Sequence, residues 1–442
     1  MRSTLKGRPG KRFLTPFLPR REEETVVRPE FYRGVGIENC WMAQHDPRVR
    51  PGKRLLDVHL QMQHYTRWQA DLELAADLGI NAIRYSVPWY KANPAPGRYD
   101  WSWIEAPLGW LHERGIVPIV DLIHYGAPLW VENECLNASF PQRLADYAAA
   151  FAERFAGLAD HYTPFNEPQT LAKKAGYGAV WPPYLCGLDG WAKLSVNIAK
   201  AMVLASAALR QAHPSVTLVS ADCLWAPPRE ELQRACPELA GQGGEAAGFP
   251  WSCAASSLAY GLVAPAGMMA QGLVALGCPR DDLEWFRAKA QQPDILGFNY
   301  YPGAWPGQAS ALAQDLEEMV RQCSAVHAHF RLPMYISETS GGLTEQQKVQ
   351  WVEALGGFLE VMRGQGLPVV GLNWWPLYDT IKWDYRDTTA TVEECIRPGG
   401  WNNGLYVIEP QPDGSLRRVK TAAAEAYAAL LRRLRADREE KK

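Results

Sequence analysis

The chain of 442 residues balances 46 Lys and Arg against 48 Asp and Glu, and a net charge of −2 gives no reason to expect nucleic acid or an anionic membrane as a partner. Apolar content of 47% and charged content of 21% are those of an ordinary soluble globular protein, and the length suits two or three domains or a single (β/α)8 barrel with insertions. Nine cysteines, an odd number with no C-x-x-C pair, argue against a disulfide framework and for reduced, mostly buried thiols in a cytoplasmic protein.

Residues 1–28 are basic and then acidic, with no apolar core or small-residue cleavage site, so they are expected to be a flexible segment and not a secretory signal. From there apolar, β-branched or aromatic runs alternate with segments of helical period. Strands are predicted at Tyr32–Glu38, Asn81–Trp89, Val117–Tyr125, Tyr162–Asn166, Val216–Trp225, Asp294–Tyr301, Met334–Glu338 and Val369–Trp375. Helices are predicted at Thr66–Leu78, Trp101–Arg114, Gln142–Leu158, Gly190–Ala212, Ala309–Phe330, Thr344–Gly364 and Thr421–Leu434, with Gly79 and Gly115 closing the first two. Ala226–Gln292 is expected to hold helices and loops over the mouth of the fold. No run of about 18 apolar residues is evident, so no membrane span is expected. His327 and His329 form an H-x-H whose side chains diverge on a helix, and no metal or other cofactor is expected. The alternation of strand and helix predicts one parallel (β/α)8 TIM barrel over 29–436, followed by a charged tail at 437–442. An open dinucleotide-binding sheet fits less well, since no G-x-G-x-x-G follows the first strand.

In such a barrel, chemistry sits at the C-terminal ends of the strands. Those ends carry Arg84, His124, Asn166, Glu167, Asn299, Tyr301, Glu338 and Trp375. Two glutamates stand out. Glu167 lies in H-Y-T-P-F-N-E-P, where Pro168 cannot continue a ladder. Glu338 lies in L-P-M-Y-I-S-E-T-S-G-G, which opens into a loop. A lone Glu after a strand is usually structural, but two carboxyls facing one cleft can do acid and base work on a glycosidic bond. The 18 Trp and 18 Tyr against 12 Phe suit sugar stacking as well as core packing, and Trp89, Trp181, Trp225, Trp305, Trp374, Trp375 and Trp383 fall near strand ends. The expected partner is a small-molecule glycoside or an oligosaccharide.

From about Phe31 to Leu430 the chain resembles glycoside hydrolase family 1, the retaining β-glycosidases. The likeness rests on N-A-I-R-Y-S-V-P-W, D-L-I-H-Y-G-A-P, T-P-F-N-E-P, G-F-N-Y-Y and N-W-W-P-L-Y-D, in that order. It implies that Glu167 is the general acid/base and Glu338 the nucleophile. It further implies that Asn166 holds the sugar 2-OH and Tyr301 hydrogen-bonds Glu338. Arg84 would pair with the nucleophile and lower its pKa, His124 would bind a ring hydroxyl, and Trp375 would floor the sugar.

Three departures accompany the likeness. The first-strand segment G-V-G-I-E-N-C-W lacks the family's sugar-binding Gln, with Glu38 and Trp41 nearby. Lys382, before Trp383, stands where the family usually has a Glu gripping the sugar, and Arg386 follows. Thr339, Ser340, Gly341 and Gly342 replace the usual Asn-Gly after the nucleophile. These changes point to an atypical branch acting on an unusual, acidic or modified sugar. A transglycosidase using the same two glutamates and a non-catalytic carbohydrate-binding barrel are the alternatives.

Overall fold

The computed structural model describes residues 29–42, 54–237, 249–302, 312–340, 344–396 and 402–439. The basic segment 1–28, Trp305, Gly341, Gly342 and the end of the charged tail lie outside these residues. Eight parallel strands form the centre: β1 (Tyr32–Ile37), β2 (Ala82–Ser86), β3 (Val117–Asp121), β4 (His161–Thr163), β5 (Thr217–Leu218), β6 (Leu296–Asn299), β7 (Met334–Thr339) and β8 (Val369–Trp374). Their order round the sheet is β5-β4-β3-β2-β1-β8-β7-β6. Parallel bridges Val219↔Ile295 and Asp222↔Phe298 join the two ends, so the sheet curls into the predicted TIM barrel. At this seam Ser220 N donates to Ile295 O at 3.0 Å, and Gly297 N donates to Ser220 Oγ at 3.0 Å. A side chain on Gly297 would collide with the Ser220 carbonyl, so the two backbones meet only because that residue is glycine.

Parallel strands covered on both faces must be apolar on both. Inside the barrel Tyr32, Ala82, Ile119, Val219, Ile295 and Tyr335 pack as a separate buried plug. Outside, the strands pack against a shell of helices: α1 (His64–Asp77), α2 (Glu105–Glu113), α3 (Phe140–Phe155), α4 (Gly187–Ala212), α5 (Leu312–Phe330), α6 (Glu345–Gly364) and α7 (Ala422–Glu439). Gly79 (φ 83°) and Gly115 (φ 63°) stop α1 and α2 in the left-handed region, where a side chain would be strained. Thr344 starts α6 with a capping box: its hydroxyl accepts from Gln347 N at 3.2 Å, and Gln347 accepts from Thr344 N at 2.9 Å.

Several strands are shorter than the sequence reading had them, and some of the differences have local causes. Predicted β2 ran to Trp89, but Pro88 has no N–H and starts a short helix, Trp89–Ala92. Predicted β5 ran from Val216 to Trp225, yet its regular part is two residues. Beyond it, Asp222 Oδ1 accepts from Cys223 N at 3.0 Å and Gln169 N at 3.4 Å, a local bonding that competes with the ladder. The sequence reading missed the antiparallel hairpin Tyr406–Pro410 with Leu416–Lys420, whose turn residues include Asp413 and Gly414 (φ 79°). Finally, α4 is long and apolar enough, by length and composition, to cross a membrane; 67% of its most apolar window is buried within the protein, in the helical shell.

The stretch between β5 and β6 contains helices Arg229–Ala235, Ala254–Ala259, Met268–Ala275 and Arg280–Lys289. It packs at the C-terminal end of β5, where Ser256 Oγ donates to Asp222 Oδ2 at 2.7 Å.

Candidate active site

Backbone bonds to both neighbouring strands fix the end of β4: Asn166 N donates to Ile123 O at 3.1 Å and Glu167 N to Ala221 O at 2.8 Å. Pro168 then opens the short helix Pro168–Leu171, and Glu167 is left in the left-handed region at φ 40°, ψ 63°. Such a conformation costs a non-glycine residue about 1–2 kcal/mol. It turns the Glu167 carboxylate onto two neutral donors, Asn299 Nδ2 at 3.0 Å and the Tyr125 hydroxyl. Asn299 is itself oriented by Ser337 Oγ, which donates to its Oδ1 at 2.6 Å.

Glu338 lies within β7 near its end, where an extra residue after Ile336 shifts the register with both β6 and β8. Arg84 Nη1 donates to its Oε1 at 2.5 Å and Tyr301 OH to its Oε2 at 2.7 Å. The Arg84 guanidinium is fully buried and has further partners. Its Nη2 donates to Asp121 Oδ2 at 2.6 Å and Asn166 Oδ1 at 2.9 Å, and its Nη1 lies 3.3 Å from Glu38 Oε1. Asp121 Oδ2 also meets His124 Nδ1 at 3.1 Å. A carboxylate in that place holds the proton on Nδ1 and leaves Nε2 facing Asn166 Nδ2 at 3.5 Å. Asn166 Nδ2 donates to Tyr125 OH at 3.2 Å, which completes a chain from Glu338 to Glu167 through Arg84, Asn166 and Tyr125.

The electrostatics correct one expectation. The resemblance implied that Arg84 lowers the pKa of Glu338. Arg84 does act in that direction, as does His124, but burial is the larger cause, and with the nearby Glu167 charge it pushes the carboxyl above its usual range. Burial likewise pushes Glu38 well above that range; Arg84 opposes it, and Glu338 and Asp121 add to it. Burial, with Glu338 and Glu167 nearby, keeps the Tyr301 phenol protonated, and the same holds for Tyr125 beside Glu167 and Glu338, so both remain donors.

Aromatic rings wall the cleft. Trp375 lies edge-on to Tyr301 at 6.1 Å, while Trp181 and Trp383 cluster with Tyr125 at 4.9 and 6.0 Å. Trp89, Trp181 and Trp374 belong to the buried core, and Trp225 and Trp383 pack against it, so core packing accounts for much of the tryptophan near strand ends. Trp41 stacks flat on Tyr90 at 4.1 Å, and its backbone N donates to His124 O at 3.3 Å. Lys382 is half-buried and, among the described residues, makes no ion pair; Asp379, a conceivable partner, instead accepts from Gly404 N at 2.9 Å. Arg386 does not extend alongside it. That side chain is buried and braces the rim, with Nη2 donating to Tyr184 OH at 2.9 Å. His327 and His329 diverge: one faces Leu332 O at 3.1 Å, the other Ser257 Oγ at 3.1 Å. Among the described residues no group of three or more His, Cys, Asp or Glu could hold a metal ion.

The structure thus gathers Arg84, His124, Asn166, Glu167, Asn299, Tyr301, Glu338 and Trp375 at one mouth, with Trp383 beside them through Tyr125. The sequence reading passed over Asp121, Tyr125 and Ser337 and gave Glu38 no role. Asp121 and Tyr125 flank His124 in D-L-I-H-Y, and strand alternation past Val120 would have pointed Asp121 inward with Arg84.

The family model described as glycosyl hydrolase family 1 matches residues 38–235. Beta-glucosidase 25 of Oryza sativa subsp. japonica is 30% identical over 133 residues, 28% of this chain and 26% of that protein. Cyanidin 3-O-glucoside 7-O-glucosyltransferase (acyl-glucose) of Delphinium grandiflorum is 26% identical over 163 residues, 34% of this chain and 31% of that protein. These alignments therefore span only about a quarter to a third of the curated relatives. In three dimensions the family 1 β-glucosidase from Thermotoga maritima superposes with a TM-score of 0.70 at 17% identity, over 92% of this chain and 99% of that one. Residues 38–235 are thus similar to glycosyl hydrolase family 1, and the barrel as a whole shares the fold of a family 1 β-glucosidase.

Proposed function

We propose that this protein is a β-glycosidase that works by double displacement, with Glu338 as nucleophile and Glu167 as general acid/base. The observation that carries the reading is the contrast between their partners. Glu338 is presented by a cation and a phenol, and Glu167, among the described residues, by the neutral donors Asn299 and Tyr125. In the first step Glu338 attacks the anomeric carbon, the bond to the leaving oxygen breaks, and Glu167 gives that oxygen its proton. In the second, Glu167 takes a proton from water as the water oxygen displaces Glu338. Asn166 and His124 flank the position of the ring hydroxyls, and Trp375 supplies an apolar face. Retention requires the two carboxyls to come within about 5–5.5 Å of each other. The test is a screen of aryl β-glycosides, including uronides and phosphorylated sugars, with proton NMR of the first product. A retained β-anomer is expected; an α-anomer, or turnover undiminished in Glu338→Ala, overturns the assignment.

A second reading, transfer of the sugar to an acceptor other than water, draws on the likeness to a glucosyltransferase that by its name uses an acyl-glucose. Product analysis with added alcohols separates the two.

The substrate is proposed to carry an anionic or carbonyl group near the outer sugar carbons. Lys382 supports this, because an ammonium offers three donors and no acceptor. The bracing of Arg386 leaves Lys382 as the cation in question. Lys382→Glu, assayed on neutral and acidic glycosides, should lose the acidic substrate; equal kinetics in both proteins would remove the lysine from the argument. A cytoplasmic location belongs to the same proposal, supported by the burial of seven of the nine thiols, and cell fractionation tests it.

A further inference from the structure

Arg84 is shared more widely than a partner reserved for one carboxylate would be. Glu38 follows directly on β1, and its carboxyl folds back over Gly36, where any side chain would collide with Glu38 Oε1 and Oε2. That return places Glu38 Oε1 3.3 Å from Arg84 Nη1, the nitrogen that also serves Glu338 at 2.5 Å. On the other side Asp121 takes Nη2 at 2.6 Å. The side chains of Arg84, Glu38 and Asp121 are wholly buried. One guanidinium therefore faces three carboxyls with no water to screen them.

We propose that Glu38 and Asp121 are positioning residues that divide the Arg84 charge with Glu338, and so set how firmly the guanidinium holds the nucleophile. The inference rests on the glycosidase reading above.

The physical case is one of competition. A buried carboxylate with an arginine to itself is strongly stabilised, and a strongly stabilised carboxylate is a poor nucleophile. Two rivals weaken that hold. They also cannot all be charged, since one positive charge does not compensate three negative ones in a dry site. Burial and the Glu338 and Asp121 charges raise the Glu38 carboxyl against the pull of Arg84, so Glu38 competes with Glu338 for a proton as well as for the guanidinium. Asp121 additionally fixes His124, so it couples the nucleophile's arginine to a sugar-facing ring. The groups that bear on Glu338 are Glu38 after β1, Arg84 from β2, His124 after β3 and Glu167 after β4, while Asp121 of β3 acts on Glu38 and Arg84. Tyr125, Cys223 and Tyr301 face Glu338 from the loops, and Tyr335 of β7 lies within reach of Glu38 and Arg84.

The experiment follows covalent trapping, not turnover. Dinitrophenyl β-glycosides fluorinated at the second sugar carbon label the nucleophile and need no acid for the leaving group. Their inactivation rate against pH reports the ionisation of Glu338. Relative to the wild type, Asp121→Asn removes a competing charge, and its acidic limb should move to lower pH by about one unit. Glu38→Gln removes a proton-binding rival; the limb should move in the same direction and lose any second inflection. Glu38→Asp, which keeps an ionisable carboxyl but shortens its reach to Arg84, should lie between Glu38→Gln and the wild type. Limbs that coincide with the wild type in folded variants of unchanged melting temperature overturn the inference, as does movement to higher pH. If one variant fails to fold, the other two carry the test. A wild type in which no such glycoside adds mass to the Glu338 peptide defeats the glycosidase reading instead.

Discussion

Glu167 and Glu338 reach one cleft from opposite backbone states. Glu338 stays within a strand, just past a register shift, its carbonyl accepts from Tyr300 N at 2.9 Å, and its carboxyl is fixed by a buried cation. Glu167 follows the strand in a strained left-handed turn, and among the described residues the donors that hold it are uncharged. A rigid strand suits a group that must form a bond along one line. A turn supported by neutral donors suits a group whose charge must change during the cycle, because no fixed ion insists on one state.

The largest effect should come from Glu338→Ala. Activity falls by about 10⁴-fold or more, and azide restores part of it with inversion at the anomeric carbon. Glu167→Gln should fall by about 10²–10⁴-fold on alkyl glycosides and far less on dinitrophenyl glycosides, whose leaving group needs no proton. Equal losses on both leaving groups would erase the distinction between the two residues. Tyr125→Phe and Tyr301→Phe each remove one donor to one carboxylate, and each should lower kcat/KM by about 10–100-fold. Tyr301→Phe should act on trapping by the fluorinated glycoside, while Tyr125→Phe should spare it. The smallest effect concerns stability. Glu338 is held above its usual carboxyl range, so the folded chain binds more protons than the unfolded chain, and the stability from this group is lost as pH rises through the folded value. Glu338→Gln cannot ionise, and near neutral pH its melting temperature should exceed the wild type's by about 2 °C. A fall of that size would mean that the Arg84 pair outweighs the burial of the carboxylate.

Legibility in the sequence followed how local each signal was. All eight strands and the main helices were readable, because apolar runs between periodic segments leave few other arrangements. Strand ends were overestimated at Trp89 and Trp225, where Pro88 and Asp222 act against an apolar run. Glu167 and Glu338 could be found because motifs mark them. Glu38 and Asp121 could not be assigned roles, because each gains its meaning from Arg84 in another strand. The rim was the least readable part. Arg386 turns inward to Tyr184, a contact between loops far apart in the chain.

The closure at Gly297 has a consequence for how this protein can change. The barrel seals there by backbone meeting backbone, at Ser220 and Ile295, outside the helices Arg229–Ala235, Ala254–Ala259, Met268–Ala275 and Arg280–Lys289 that the chain builds between β5 and β6. The excursion is tied back to that seam, since Ser256 holds Asp222 and the helix Ala254–Ala259 is buried in the core, so changes in its length are free only away from that helix. A single methyl group at Gly297 would press on the Ser220 carbonyl and unfasten the ring itself.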